Sequence, residues 1–362
     1  MGVVSGRAGL ERVGFALALV TWLPLLALSP LASGSATVSL LQSLGTHARL
    51  LVAIPLFFAA EALFDARASQ VIAGMVACRL IPATRLGRYQ DALLQTIRRR
   101  DTWWVEIILA VLTAISIAQG LRVDLPAGLS TWRTTGTGQL TVAGWWYSLV
   151  SLPIFQFLIW RWCARMLLWW QLLWRINRLD LRLIPTHPDL SGGLGGFGVA
   201  HVTLAPVSLG LSTMLVATIA EEILWAGADL HRYVLPLASA LIANVVIAII
   251  PLLTFAPRLL QAKQQGLLEY GTLAAGYVRD FEDKWLRSPP PREPLLGSPD
   301  VQSLADLANS FDVIRSMRIA PIGLKQMLLL ACAAALPAVP LALFVWPLDE
   351  LIVRALQALF NV

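Results

Sequence analysis

Seven apolar blocks separated by basic loops constrain this chain more than any other feature of its sequence. They fall at about 13–31, 50–64, 102–119, 144–165, 201–224, 233–255 and 326–346. A helix needs roughly 20 such residues to cross a bilayer. Of the 362 residues 57% are apolar and 14% are charged, and the mean hydropathy is +0.68. An ordinary soluble domain carries about 25% charged residues, so this chain lacks the polar surface needed to cover its own core in water. The expected fold class is all-α, a polytopic transmembrane bundle of about seven spans. A further apolar segment, 348–362, is short and interrupted by Arg354, which suits an interfacial helix docked on the bundle. Arg7 and Arg12 precede the first block as in a signal peptide. That block runs on to Leu31 with no small-x-small site close behind, so an uncleaved first span is expected.

The formal charge is +6, and the basic residues sit in the loops, where membrane topology explains them without any nucleic-acid partner. With the N-terminus inside, the inner segments hold 23 of the 28 Lys and Arg residues and the outer segments hold 5. Long loops count for little in this rule. Setting aside the segment 257–325 leaves 14 against 5, and the expected N-terminus stays cytoplasmic. Arg98, Arg99 and Arg100 stand beside Trp103 and Trp104, a pairing that suits anionic lipid headgroups at the cytoplasmic face.

Three organisational units follow. Residues 1–257 form the first six spans, 258–323 a cytoplasmic helical hairpin, and 324–362 the last span with the interfacial helix. Between Trp145 and Arg178 only Pro153 interrupts the helical pattern. That helix would run about 50 Å and leave the membrane or bend along it. In the hairpin Leu267, Tyr270, Ala274, Tyr277, Phe281 and Trp285 recur at steps of three and four, which makes one face apolar. After a proline-rich linker, Ser298-Pro299-Asp300 marks the next helix start, with Ser298 as the capping side chain.

The candidate site residues belong to three groups. By depth, Glu61 late in span two, Glu106 early in span three, and Arg161 and Arg165 at the inner end of span four fall at one level. Charge in lipid costs at least ~2.5 kcal/mol, so an inner charged cluster is expected, serving as interhelical salt bridges or as a proton or substrate relay. The second group is the stretch from Ile184 to Gly198, with His187, Asp189 and the glycines Gly192, Gly193, Gly195, Gly196 and Gly198. Its G-x-G-x-x-G follows no strand, so a nucleotide fingerprint is unsupported. A glycine-rich turn into a helix N-terminus can nevertheless hold an anion, while a compact packing loop is the simpler reading of the glycines. The loop is expected at the cytoplasmic mouth, with His187 and Asp189 within reach of Arg161 and Arg165. The third group is Glu221 with Glu222 near the outer end of span five, in an expected outer polar vestibule. Asn244 in span six suits a helix–helix hydrogen bond.

Cys78, Cys163 and Cys332 fit no metal spacing, and neither a metal nor a cofactor is expected. There is no G-x-S-x-G, H-E-x-x-H or Walker loop, so the motifs lean away from an enzyme. His47-Ala-Arg49 running into Leu50-Val-Ala-Ile-Pro-Leu56 with Glu61, the 186–195 loop, and the helix from Ser303 to Arg318 together resemble a pattern in uncharacterised bacterial multi-pass membrane proteins. That resemblance implies a bacterial inner membrane and carries no activity. Three functions remain open: a transporter or channel for a small solute or ion; a membrane scaffold, sensor or accessory subunit working with a protein partner or as a homo-oligomer; and a lipid-modifying enzyme, which needs His187, Asp189 and the arginines in one pocket.

Overall fold

A computed structural model describes residues 7–32, 39–121, 131–135, 138–289, 294–295 and 297–342. Among these residues nine helices carry the architecture: α1 (Arg7–Leu28), α2 (Leu44–Ala77), α3 (Leu86–Arg100), α4 (Trp103–Leu121), α5 (Val142–Asn177), α6 (Gly195–Ala226), α7 (His231–Arg287), α8 (Pro299–Arg315) and α9 (Leu324–Leu341). The described residues form no strand, only one isolated antiparallel bridge between Thr134 and Leu140. The expected interfacial helix at 348–362 lies outside the described residues.

Six of these helices, α1, α2, α5, α6, α7 and α9, are long and apolar enough to cross a membrane, and α3 with α4, bent by 48° at their junction, makes a seventh as a pair. Several outlast their apolar blocks. α2 has 34 residues and α5 has 36, each more than 50 Å at ~1.5 Å per residue. Charge does not stop a helix once the chain has left hydrocarbon, so a block of apolar residues marks the membrane and not the helix ends. Prolines stand at the changes of winding. Pro55 and Pro153 follow the π-helical turns Ala48–Ala53 and Tyr147–Ser151, and Pro251 and Pro337 sit in the 3-10 turns Ile250–Phe255 and Leu336–Ala338. A proline offers no N–H to the preceding turn and crowds its carbonyl, and the helix rewinds locally to compensate.

α2 is the central element. It packs against α1 and α6, and touches α5. The core around it is filled by Ile54, Phe57, Phe155, Trp169, Phe197 and Phe255, all buried. Large apolar side chains also cover the outer surface: Phe15 is 63% exposed, Ile242 64% and Ile247 61%. Apolar exposure on this scale suits lipid and not water. Asn244 ties α7 to α6 as expected, its amide donating to the Ser208 carbonyl at 3.0 Å and to the Ser212 hydroxyl at 3.1 Å.

The second half of α7 packs against α8. Its lock is Asp300, whose carboxylate accepts from Lys284 at 2.7 Å and from the Trp285 indole at 3.0 Å. The Tyr277 hydroxyl donates to the Asp300 carbonyl at 3.0 Å. Ser298 occupies the cap position, but its hydroxyl makes no capping bond. The expected cap is therefore corrected: Pro299 and the tethered Asp300 fix the helix start instead.

Candidate functional site

Glu61, on the buried face of α2, meets two arginines of α5. Arg161 donates to Glu61 at 2.6 Å and Arg165 at 2.9 Å, while the second Arg165 nitrogen pairs with Asp65. The spacing explains the fit. Asp65 follows Glu61 by four residues and Arg165 follows Arg161 by four, so each pair shares one helix face. The Arg165 fork can then serve two carboxylates at once. Asp65 was not among the sequence candidates, although its four-residue offset from Glu61 was a readable signal. Glu106 does not join the cluster. It is exposed on α4 beside Trp103 and Trp104 and makes no ion pair with Arg161 or Arg165.

A cavity of about 790 Å³ adjoins this cluster between α2, α3 and α5. Its walls are mostly apolar, including Phe64, Ile72, Leu93 and Leu168, and Asp65, Arg165 and Arg100 stand on its lining. The helix α3 closes one side, and its last turn carries the basic triplet Arg98, Arg99 and Arg100, of which Arg100 lines the cavity and Arg99 donates to Gln171 of α5 at 2.9 Å. The Tyr89 hydroxyl, donating to the Ile72 carbonyl at 2.8 Å, fastens α3 over α2.

The glycine loop is built around its own anion. Asp189 accepts backbone N–H bonds from Ser191 at 2.8 Å, Gly193 at 3.1 Å and Gly195 at 2.7 Å, and the His187 ring Nδ1 lies 2.8 Å away. Burial by itself raises this carboxyl, but the amides of Gly195, Ser191 and Gly193 and the His187 ring outweigh it and hold it below its ordinary value. The turn of amides at the start of α6 that could have taken an external anion is thus filled from within. Gly193 adopts a φ of +96°, which only glycine tolerates comfortably. Gly198 lets α6 touch the backbone before α9, since a Cβ there would stand 2.5 Å from the Pro321 carbonyl oxygen. Gly192, Gly195 and Gly196 likewise lie against side chains, of Leu183 and Met317, of Asp189, and of Val71. The expected reach from His187 and Asp189 to Arg161 and Arg165 is corrected. Those arginines are held by Glu61 and Asp65, and Arg165 lies twelve residues before the end of α5, about 18 Å back along the helix.

Two further polar residues have structural partners. His201, fully buried, has its Nδ1 2.6 Å from the Ala248 carbonyl and accepts at Nε2 from the Trp169 indole at 2.8 Å. This pattern fits a neutral ring and binds α5, α6 and α7 together. Glu221 accepts from the Ser43 hydroxyl at 3.1 Å and from the Gly45 amide at 3.0 Å. It caps the start of α2, where the helix dipole favours a carboxylate, so it is a tie between α6 and α2 and not the wall of an open vestibule. Glu222 accepts from the Tyr233 hydroxyl.

Helix lengths and an apolar exterior together describe a polytopic helical bundle with the character of an integral membrane protein. No family model, curated protein or solved structure matches the chain.

Proposed function

We propose that this chain is a multi-pass protein of a bacterial inner membrane, with its N-terminus in the cytoplasm, that binds an anionic amphiphile at the inner leaflet. The cavity beside Asp65 and Arg165 carries this reading. A volume near 790 Å³ lies in the range of ligand sites, about 300–1,000 Å³, and apolar walls with a guanidinium on the lining match an acyl tail and a charged head. The orientation rests on the 23 basic residues of the segments assigned to the inner side. With that orientation the Arg98–Arg100 triplet and the exposed Trp103 would lie at the headgroup level, beside one end of the cavity.

A conduit for a small solute or ion is less well supported. Glu61 is bridged by two arginines, which ties up its carboxylate, and Glu106 stands apart from it. A lipid-modifying site loses its proposed convergence, because His187 and Asp189 belong to a self-contained loop. The hairpin favours a second reading, as a docking platform or homo-oligomer contact: Leu268 and Leu286 on α7 are 72% and 74% exposed.

Native mass spectrometry of the purified chain tests the main reading. Wild type is expected to retain phosphatidylglycerol, and Ser69→Trp, which fills the cavity, to retain at least one equivalent fewer while keeping the same melting temperature. Equal retention by both contradicts the reading.

A further inference from the structure

The opposite end of the bundle holds two arginines, Arg49 and Arg133, that have no carboxylate partner among the described residues. Arg49 lies on the π-helical turn of α2, twelve residues before Glu61, about 18 Å away along the helix. Its guanidinium donates to the Tyr147 hydroxyl and stands 5.5 Å from the Phe155 ring centre. Arg133 approaches the same tyrosine, its guanidinium carbon 5.2 Å from the Tyr147 ring centre. Tyr147 itself is buried and opens the second π-helical turn, at the start of α5. These are two of the five basic residues on the sparsely charged side of the chain, and both meet one tyrosine, Arg49 at its hydroxyl and Arg133 over its ring.

The position of Arg133 is built and not incidental. The Thr141 amide donates to the Arg133 carbonyl at 3.0 Å, and the Thr141 hydroxyl donates to the Trp132 carbonyl at 2.7 Å. Gly144 admits that turn, because a Cβ there would stand 2.2 Å from the Arg133 carbonyl oxygen. Trp132, buried, packs edge-on against Tyr147 at 5.5 Å. Nevertheless the Arg133 Nε is buried and has no hydrogen-bond partner. On the turn that begins with Tyr147, the Ser148 hydroxyl is also buried and unpartnered, with the residue 1% exposed. Among the described residues neither arginine has a carboxylate within ion-pair distance. Partly buried charges of one sign without compensation are costly, and two guanidinium forks suit the oxygens of one phosphate group.

We propose that Arg49 and Arg133, gathered on Tyr147, bind a single phosphate group at this end of the bundle. The group is either the phosphodiester of a lipid in the facing leaflet or a free phosphate. This site is separate from the cavity beside Asp65 and stands or falls independently of it.

Two arms of one experiment decide between the sources. The full chain in micelles of a non-ionic detergent is titrated calorimetrically with inorganic phosphate, and the same preparation is loaded with phosphatidylglycerol and examined by native mass spectrometry. Wild type is compared with Arg49→Gln and Arg133→Gln, with melting temperature as the control for folding. Loss of either guanidinium is expected to weaken binding about tenfold or more. An effect in the lipid arm alone assigns a lipid phosphodiester, and an effect in the phosphate arm alone assigns a free anion. Both support the site. Binding of both probes unchanged in folded variants overturns it. Where a glutamine variant does not fold, Arg133→Lys keeps the charge and removes the fork: weakened binding supports the site, and unchanged binding overturns it.

Discussion

The Glu61 carboxylate and the Arg165 guanidinium meet at 2.9 Å with side-chain exposures of only 12% and 14%. A pair this dry is held by mutual need, since either partner alone would be a stranded charge. Glu61→Gln is expected to destabilise the protein by roughly 3 kcal/mol, at the low end of such losses because Arg161, 42% exposed, can rehydrate. Chemical unfolding in one detergent measures this. The double variant Glu61→Gln with Arg165→Gln should lose less than the sum of the single losses. Additive losses would show that the two side chains act independently.

Asp189 links loop stability to pH. Its folded pKa lies below the ordinary 3.8, so its contribution is fully present above about pH 4 and is lost as pH falls through the lower folded value. Asp189→Asn is therefore expected to lower the melting temperature by a constant margin from about pH 5 to 8, and the gap to wild type should narrow on acidification below about pH 4. A gap that widens in acid would contradict the capping role. Because the carboxylate spans Ser191 to Gly195, the variant should also raise protease sensitivity within the loop.

Gly198→Ala forces a Cβ against the Pro321 carbonyl oxygen and is expected to cost about 1–3 kcal/mol. Gly74→Ala, in open space on α2, is the matched control and should be neutral or slightly stabilising, by up to about 1 kcal/mol. Thermal melts of the two variants side by side make the comparison. Equal effects would remove the close approach between α6 and the segment before α9 from the account.

The number of spans and the pairing of Glu61 with Arg161 and Arg165 were legible because both follow from one-dimensional quantities: block length and depth in the membrane. Glu106 shows the limit of depth. Its place in the apolar block matches the expectation, but the side of α4 it faces is decided by which neighbour α4 packs on, and the apolar periodicity of that block is too uniform to reveal it. The glycines of 192–198 signalled a tight backbone turn correctly. Sequence spacing did not show that Asp189 would fill the turn it precedes, since that depends on a folded-back conformation set by the φ of Gly193. Trp169 and His201 lie 32 residues apart and meet only because α5 and α6 return side by side.

The central claim is that the cavity between α2, α3 and α5 holds an acyl chain whose head meets the basic end of α3. Photolabelling tests it most directly. The protein is reconstituted with phosphatidylglycerol bearing a diazirine near the tail end, irradiated, digested and mapped by mass spectrometry. Labels are expected to concentrate on cavity residues such as Ile72, Ala73 and Leu93, and to fall at least severalfold in Ser69→Trp. Labelling spread evenly over outward positions such as Phe15, Ile242 and Ile247, and unchanged by Ser69→Trp, would contradict the account.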